Sequence, residues 1–408
     1  MKKKLLSILI LSSGLVLSAC NNGGSGGDSY ESASNTDVNN IANPVVGTPT
    51  AYTKTDFSAV AADSVVMTYK MKGVKGTEVQ ATSLVFTPKT APPASGWPVV
   101  VWAHGTTGVA DMCAPSRNET NVYIKAMISK FLAEGYVVVA PDYEGLGEPS
   151  GTELHPYLNL KSEGYSITDA VVATRNWLGN KVSRKWVTVG HSQGGQAALG
   201  AAQYADRANL DYKGTIAVAP SSQLNLILNN PGEPGDANAT IDQHILYAYL
   251  DTFTALVVAG LRNSNPTLDY SQVFKVPTDT IAKNAESVCL NTLAIQFYDA
   301  MTEYSRLNLS LKNYPRKTDT FMTSPVIQTF LNKDSQPLQV QVKTPVIIYQ
   351  GGADVIIPQV ATDTLYGTAK ALGTSVNYIT DPAWDHNTAY ALNIDNIVAD
   401  VKGMFAAQ

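Results

Sequence analysis

A serine between glycines is the part of this sequence that most directly indicates chemistry. The apolar run 186–189 leads into the pattern G-x-S-x-G at residues 190–194, with Ser192 at its centre, and a helix-forming stretch follows. Such a strand-to-helix turn is so tight that flanking Cβ atoms would clash, and it lifts the serine hydroxyl above the sheet. The helix also points its first N–H groups at charge that forms on a substrate. Ser192 is therefore predicted to be a nucleophile.

The five histidines supply the candidates for a base, because a serine is a weak nucleophile until its proton is removed. His191 adjoins the serine in the turn and must point elsewhere. His104 and His155 precede the serine, which conflicts with the chain order Ser–Asp/Glu–His that accompanies this motif. His244 lies in a long region without predicted strands. Only His386 follows the last predicted strand, so His386 is predicted to be the base.

The acid that orients the base should follow the preceding strand. The predicted strand 345–349 leads through a glycine-rich turn into Asp354. This carboxylate would hold the imidazole tautomer and stabilise the imidazolium. Asp385 adjoins the histidine and cannot easily face its Nδ1, and Asp363 lies a helix further on. The alternative role of Asp354 is a helix N-cap before Pro358.

The negative charge that develops on a reacting carbonyl oxygen needs N–H donors. Gln193, the residue after the predicted nucleophile, supplies one of them. The second is expected from the loop His-Gly-Thr-Thr-Gly at residues 104–108, where Thr106 is the predicted donor and Thr107 the alternative. His104 is expected to brace this loop rather than bind a metal. The sequence predicts no metal site and no cofactor.

Apolar runs that alternate with helical patterns predict the elements that position these residues. Eight predicted strands cover residues 65–70, 83–87, 98–103, 136–140, 186–190, 215–219, 345–349 and 376–380. The first two suit an antiparallel pair, and the others suit a mostly parallel sheet that helices cover on both faces. Residues 221–340 contain helical stretches but no comparable strand, so we expect a helical insertion there.

One apolar stripe in the insertion bears on specificity. Ile245, Tyr249 and Leu256 share one face of the predicted helix 243–261. The stripe either packs the insertion onto the core or lines, in part, an acyl pocket above Ser192. The second hypothesis predicts a higher kcat/KM on esters with about six to ten acyl carbons than on acetyl esters, because each buried methylene contributes about 0.8 kcal/mol.

The N-terminus has the features of a bacterial export signal. Three lysines at 2–4 precede an apolar run over 5–17 that is too short to span a bilayer comfortably. The run ends in Leu-Ser-Ala-Cys at 17–20, which resembles a lipobox, in which the cysteine is acylated. Asn21 follows Cys20, which favours outer-membrane sorting. The alternative is an ordinary secretory signal with an accidental cysteine.

Composition and charge complete the domain assignment. Residues 1–20 are predicted to be a lipoprotein signal, and residues 21–50, rich in Gly, Ser, Asn and Asp, a flexible tether. No other membrane-spanning segment is predicted, so the lipid on Cys20 would be the membrane attachment in the cell envelope. The net charge of −5, without a long basic run, gives no indication of a nucleic-acid partner.

Two cysteines remain for the folded part of an exported chain. Cys113 and Cys289 are predicted to form a disulfide, because thiols outside the cytosol tend to oxidise. A bridge over so long a loop would stabilise the fold by about 5 kcal/mol in the chain-entropy model. Two buried free thiols are the alternative, and a metal site is disfavoured because no CxxC motif or histidine cluster accompanies the pair.

Together these residues resemble the α/β-hydrolase superfamily and, within it, the secretory lipase family of the lipase A type with its bacterial relatives. The motifs are H-G-T-T-G at 104–108, C-A-P-S at 113–116, A-P-D-Y-E-G-L-G at 140–147, H-P-Y at 155–157, Asp169 with Arg175, and G-H-S-Q-G-G at 190–195. The resemblance implies an α/β fold with a mostly parallel eight-stranded sheet over 51–220 and 341–408 and a helical cap over 221–340. It also implies hydrolysis of small-molecule or lipid carboxylic esters, acyl-glycerols included, without metal or organic cofactor.

Two other functions remain open. A serine peptidase or amidase uses the same three residues and would need acids for a substrate amine. The insertion offers four, namely Glu233, Asp236, Asp242 and Asp251. A catalytically silent surface lipoprotein that only binds is the second alternative, against which the intact Ser, Asp and His in the expected order argue.

Overall fold

The computed structural model describes residues 37–228, 241–308 and 310–407, without the side chains of 241 and 242. The predicted signal, the predicted lipidation site Cys20 and the first part of the predicted tether lie outside these residues.

A nine-stranded sheet forms the centre of the protein. Its strands are β1 (Val45–Ala51), β2 (Ala61–Lys72), β3 (Glu78–Pro88), β4 (Trp97–Ala103), β5 (Val137–Pro141), β6 (Val182–His191), β7 (Asp211–Val218), β8 (Val346–Gly351) and β9 (Val376–Asp381). Their order across the sheet is β1-β2-β3-β5-β4-β6-β7-β8-β9. The pairs from β1 to β5 are antiparallel, and those from β5 through β4 to β9 are parallel. This is the mostly parallel sheet of the predicted α/β-hydrolase fold.

The predicted number of eight strands is wrong by one. The additional strand is β1, which pairs with β2 at the edge of the sheet and begins inside the segment predicted to be a flexible tether. Gly47 and Pro49 lie within β1, and no residue of this strand is fully buried. An edge strand tolerates both residue types because one of its sides makes no ladder hydrogen bonds, so its sequence resembles that of a loop.

Helices cover both faces of the sheet and form the insertion. They are α1 (Val122–Ala133), α2 (Leu160–Leu178), α3 (Gln193–Gln203), α4 (Leu224–Leu228), α5 (Ile241–Leu261), α6 (Thr278–Ala282), α7 (Leu290–Asn308), α8 (Pro325–Thr329), α9 (Gln359–Ala371), α10 (Thr388–Ala391) and α11 (Ile394–Ala406). Residues of α1 and α11 pack on one face of the central strands, and residues of α2 and α3 pack on the other. The strands between these layers are almost entirely apolar because both of their faces are buried.

The helices α4 to α8 form a cap, and the hydrophobic cluster that fills it also includes residues of the core such as Val109, Tyr157 and Leu158. Among the described residues of 221–340, the only strand pairing is a single bridge between Phe274 and Lys317. The segment Gln243–Leu261 in α5 is long and apolar enough to cross a membrane by length and composition, a property that was not predicted for it from the sequence. Since 72% of this segment is buried inside the protein, burial accounts for its apolar composition.

Candidate active site

Ser192 lies at a sharp turn between β6 and α3, with φ of 60° and ψ of −121°. Steric contacts explain the glycines on either side of it. A Cβ at Gly190 would lie 1.9 Å from the carbonyl oxygen of Gly194, and a Cβ at Gly194 would lie 2.0 Å from that of Ala103. Only glycine fits at these positions, so the local sequence places Ser192 at the carboxyl end of the central strands.

Asp354 and His386 meet at the ends of β8 and β9. The His386 Nδ1 lies 2.8 Å from the Asp354 Oδ2. The Asp354 side chain is fully buried, and its Oδ1 accepts hydrogen bonds of 2.9 Å from the N–H groups of Ile356 and Ile357. The carboxylate is therefore fixed by the backbone and orients the imidazole so that Nδ1 donates to it.

Ser192 and His386 line the same cavity. Within the described part of the chain, no hydrogen bond joins the Ser192 hydroxyl to the imidazole, and Nε2 of His386 has no hydrogen-bond partner. Hydrogen bonds between catalytic groups are often long in a site without substrate and tighten when substrate binds. The structure thus brings the predicted nucleophile, acid and base to one site.

His191 has a role that could not be predicted from the sequence. Its Nε2 lies 2.7 Å from the backbone carbonyl oxygen of His386, and the two ring centroids are 4.6 Å apart. Burial, followed by the proximity of His386, lowers the pKa of His191 well below its usual value, so the ring is neutral. Because a carbonyl only accepts, Nε2 of His191 is the donor and holds the loop that carries the base.

The predicted oxyanion donors lie next to Ser192 in the chain or in the cavity wall. Gln193 is the first residue of α3, and Thr106 and Thr107 lie in the cavity wall. Across the described residues, the N–H groups of Gln193 and Thr106 donate to no other protein group. Free N–H groups beside a nucleophile can stabilise an oxyanion.

Hydroxyl and cap contacts fix the loop that carries Thr106. The Thr106 Oγ1 lies 2.9 Å from the Tyr157 hydroxyl, and the Thr107 carbonyl oxygen accepts a 2.9 Å hydrogen bond from the Leu290 N–H in the cap. His104 stands behind the loop with its Nε2 3.1 Å from the carbonyl oxygen of Asp142. Burial lowers the pKa of His104 to about 4, so it is a neutral bracing residue.

A buried polar network holds the start of α3. The Gln193 Nε2 lies 2.7 Å from the Glu163 Oε1 and 2.7 Å from the His155 Nε2. The His155 Nδ1 in turn lies 2.8 Å from the carbonyl oxygen of Glu144. His155 could be excluded as the base by chain order, but sequence carried no signal that it positions the residue after the nucleophile.

The cavity has a volume of about 590 Å³ and lies between the core and the cap. Tyr249 and Phe253 of α5 and Leu290 of α7 form part of its wall. The predicted stripe on α5 is divided, because Tyr249 faces the cavity whereas Leu256 is fully buried in the cap and Ile245 is 43% exposed. The stripe thus contributes one residue to the cavity wall and one to the packing of the cap, and whether Tyr249 contacts an acyl chain stays a prediction.

A disulfide joins the core side of the cavity to the cap. Cys113 is bonded to Cys289 immediately before α7, and both residues line the cavity. In the ranges that the structure describes, no group of three or more His, Cys, Asp or Glu side chains could hold a metal ion.

The acids suggested for a substrate amine are not collected at the cavity. Asp251 is fully buried and pairs with Arg316, whose guanidinium donates to both carboxylate oxygens. Glu233, Asp236 and the side chain of Asp242 lie outside the described residues. The described cavity wall contains one acid, Glu119, which is exposed.

The sheet and its helices have the architecture of the predicted α/β-hydrolase fold, and solved structures share this fold. The chain is similar to Candida antarctica lipase A in its closed state, with a TM-score of 0.68 and 17% identity over 89% of this chain and 82% of that chain. It is similar to the rice cell wall degrading esterase LipA from Xanthomonas oryzae, with a TM-score of 0.64 and 18% identity over 88% of this chain and 97% of that chain.

The family follows from the sequence match. A model of the secretory lipase family matches residues 117–407, and the chain belongs to this family, as the resemblance predicted. One relative in Mycobacterium tuberculosis (strain CDC 1551 / Oshkosh) is 23% identical over an alignment of 364 residues that covers 83% of this chain and 73% of that protein. That relative is described as a "Probable inactive lipase".

Proposed function

We propose that the protein is a serine hydrolase that cleaves carboxylic esters through Ser192, His386 and Asp354. The observation that carries the proposal is the oriented imidazole. His386 Nδ1 lies 2.8 Å from a fully buried carboxylate, and the ring shares a cavity with a serine at the N-terminus of a helix. An imidazole held in this way can remove the proton of a nearby hydroxyl, and a helix N-terminus favours the negative charge that follows.

The reaction proceeds through an acyl-enzyme. Ser192 Oγ attacks the ester carbonyl carbon while Nε2 of His386 takes the hydroxyl proton. The N–H groups of Gln193 and Thr106 stabilise the oxyanion. His386 then gives its proton to the departing alcohol. Water attacks the carbonyl carbon of the acyl-enzyme while His386 takes a proton from it. His386 finally gives this proton to Ser192 Oγ as the acid is released.

The wall of the cavity supports an ester with an apolar acyl group. Aromatic and aliphatic side chains of core and cap surround the nucleophile, among them Trp102, Phe253 and Leu290. We expect a higher kcat/KM on esters with about six to ten acyl carbons than on acetyl esters, because burial of each methylene contributes up to about 0.8 kcal/mol. A profile that peaks at acetyl would contradict this expectation.

A fluorophosphonate probe together with p-nitrophenyl esters tests the proposal. Wild-type protein should be labelled at Ser192 and should hydrolyse the esters, and Ser192→Ala should lose both properties, with kcat lower by about 10⁶ if the three residues act as a unit. Ser222→Ala is the matched control, because Ser222 is fully buried but does not line the cavity. Absence of labelling in folded wild-type protein would overturn the proposal.

A non-catalytic role is the second candidate, since the Mycobacterium tuberculosis relative is described as inactive. The complete set of Ser192, His386 and Asp354 in this chain supports catalysis instead, and the same labelling experiment separates the two. Amide hydrolysis has less support, because Arg316 already neutralises Asp251. Aminoacyl nitroanilides, measured beside the esters, test this alternative.

Attachment to the bacterial cell envelope through lipid on Cys20 belongs to the same proposal. The lipobox-like sequence at 17–20 supports it. Metabolic labelling with an alkyne fatty acid should modify the wild-type protein but not Cys20→Ala, and the wild-type protein should sediment with outer membranes. An unlabelled wild-type protein would indicate an ordinary secretory signal.

A further inference from the structure

The sheet order separates two sides of the cavity. Ser192 follows the central strand β6, and His386 and Asp354 follow β9 and β8 on one side of it. The strands β4, β5 and β3 lie on the other side. An ester has two limbs, the acyl chain and the alcohol group, and these two sides of the cavity can each receive one of them.

The strands on the side of β6 opposite to β8 and β9 contribute an apolar recess to the cavity wall. Leu84 of β3, Trp102 of β4 and Ala140 of β5 line the cavity there, and each is at most 4% exposed. Ile124 and Ile128, one helical turn apart on α1, line the cavity as well. We call these five residues the α1 recess; they belong to, or pack against, one hydrophobic cluster between α1 and the sheet.

Proton transfer decides which limb lies on which side. The departing alcohol oxygen must receive its proton from Nε2 of His386, so the alcohol limb lies next to His386 and its neighbour Asn387, which also lines the cavity. The acyl limb then extends away from His386. The α1 recess offers that limb an entirely uncharged and apolar wall.

We propose that the α1 recess, rather than the cap, binds the acyl chain and that Ile124 limits its length; this inference rests on the proposed esterase function. Ile124 is the half-buried member of the set and lies three residues after Asn121, whose side chain caps α1. The residues of the cavity wall that precede Ile124 in the chain, namely Asn118, Glu119, Thr120 and Asn121, form a polar rim. Methylenes that reach this polar rim lose the gain of apolar burial, so medium chains fit best.

Substitutions of equal size on the two sides test the inference. Ile124→Trp fills the α1 recess, whereas Ile356→Trp places the same bulk on the side of His386, where Ile356 lines the cavity and is also half-buried. The measured quantity is the ratio of kcat/KM for octanoyl and acetyl p-nitrophenyl esters. We expect Ile124→Trp to lower this ratio by on the order of 100-fold, as expected when about four methylenes lose their burial. Ile356→Trp should leave the ratio within about threefold.

A second variant tests the inference without adding bulk to the cavity. Ile124→Ala enlarges the recess and should move the preferred acyl chain to a greater length, with folding checked by circular dichroism. A ratio that Ile124→Trp leaves unchanged, or that only Ile356→Trp lowers, would overturn the inference while the ester hydrolysis itself stands. If folded wild-type protein neither hydrolyses acetyl ester nor reacts with fluorophosphonate, the proposed esterase function is wrong, and the inference about the acyl chain is wrong for that reason.

Discussion

The two walls of the cavity differ in how they are held in place. The core wall carries Ser192, His386 and Asp354 on loops at strand ends, where backbone groups approach so closely that Gly190 and Gly194 admit no Cβ. The cap wall consists of side chains on α5 and α7, and two of them, Phe253 and Leu290, pack against the hydrophobic cluster that fills the cap. The core wall is thus fixed by backbone contacts, and the cap wall by side-chain packing.

Several contacts connect the cap to the core near the cavity, among them the packing of Val109, Tyr157 and Leu158 against cap residues. Three others fix individual positions. They are the Cys113–Cys289 disulfide, the hydrogen bond from the Leu290 N–H to the Thr107 carbonyl, and the close approach of Gly260 to the backbone of Tyr157. All three reach the cavity wall or the residues that brace it. Changes at the residues of the core wall that carry the reaction should therefore alter the chemistry most, whereas changes in the cap and its attachments should mainly alter stability.

The largest expected effect is in the core wall. Asp354→Asn should lower kcat by about 10⁴, because an amide that donates to the imidazole favours the wrong tautomer of His386. The fold should persist, since the asparagine carbonyl can still accept hydrogen bonds from Ile356 and Ile357. Steady-state kinetics on a p-nitrophenyl ester, with circular dichroism as a check on folding, measures the effect.

Asp363→Asn is the matched control for this variant. Asp363 lies on α9, accepts a 2.7 Å hydrogen bond from the Tyr378 hydroxyl and does not line the cavity. Its kcat should equal that of the wild type. If Asp354→Asn retained more than about a tenth of wild-type activity, Asp354 would be a structural cap and not the acid of the site.

The second largest effect is expected from removal of the disulfide that attaches the cap to the core. Replacing both Cys113 and Cys289 with alanine should lower the free energy of unfolding by about 2 to 5 kcal/mol. All five tryptophans lie outside residues 221–340, so their fluorescence reports on the core, whereas far-ultraviolet circular dichroism reports on core and cap together. In urea, the dichroism of the variant should change before its fluorescence does, because the cap separates first.

Wild-type protein without reductant is the control, and its two transitions should coincide. Coincident transitions in the double variant as well would show that side-chain packing alone couples the cap to the core. That result would weaken the distinction between the two walls.

The core wall was largely predictable from sequence because steric and chemical demands are local there. The turn around Ser192 needs glycines at fixed positions, and buried parallel strands are apolar on both faces. All eight predicted strands are present, and Ser192, Asp354 and His386 could be selected by their order after those strands.

Other features could not be predicted because they depend on contacts between distant residues. The edge strand β1 has the composition of a loop, and the bracing roles of His191 and His155 depend on groups far apart in the chain. The stripe on α5 predicted an amphipathic helix, but not that Tyr249 faces the cavity while Leu256 faces the cap. Which side of a cavity a residue lines is decided by packing, which periodicity alone does not encode.

A buried carboxyl of the core, that of Glu144, makes the stability of the protein depend on pH. Burial raises the pKa of Glu144 to about 7 from the ordinary 4.5, although the Val74 N–H and the Ser162 hydroxyl donate to it; Glu153 adds to the rise. The folded protein therefore binds this proton more tightly than the unfolded chain does. The stabilisation is complete below about pH 4.5 and is lost as the pH rises through about 7.

Glu144→Gln should remove this part of the pH dependence, because the amide is never ionised and can still bond to Val74 and Ser162. Between pH 5 and 8, the wild-type free energy of unfolding should fall by about 2 kcal/mol more than that of the variant, at about 1.4 kcal/mol per pKa unit. Urea titrations across this range measure the difference. Asp299→Asn, at an exposed position on α7, is the control and should follow the wild type. Parallel curves for Glu144→Gln and wild type would contradict the prediction.

The smallest effect concerns the contact between α5 and the core. A Cβ at Gly260 would lie 2.6 Å from the backbone nitrogen of Tyr157 and 2.9 Å from the carbonyl oxygen of His155. Gly260→Ala should therefore push the cap away from the core and lower the free energy of unfolding by about 1 to 3 kcal/mol. Since His155 and Tyr157 contact Gln193 and Thr106, kcat should fall as well.

Gly403→Ala is the matched variant, because Gly403 also lies within a helix, α11, but a Cβ there would meet no atom within 4 Å. Here alanine should raise the free energy of unfolding by about 0.5 to 1 kcal/mol, since glycine loses more backbone entropy on folding, and kcat should not change. Urea titration and ester kinetics on the two variants measure both quantities. If Gly260→Ala were as stable and active as Gly403→Ala, α5 would have room to shift, and its close approach to Tyr157 would not be needed to hold the cap in place.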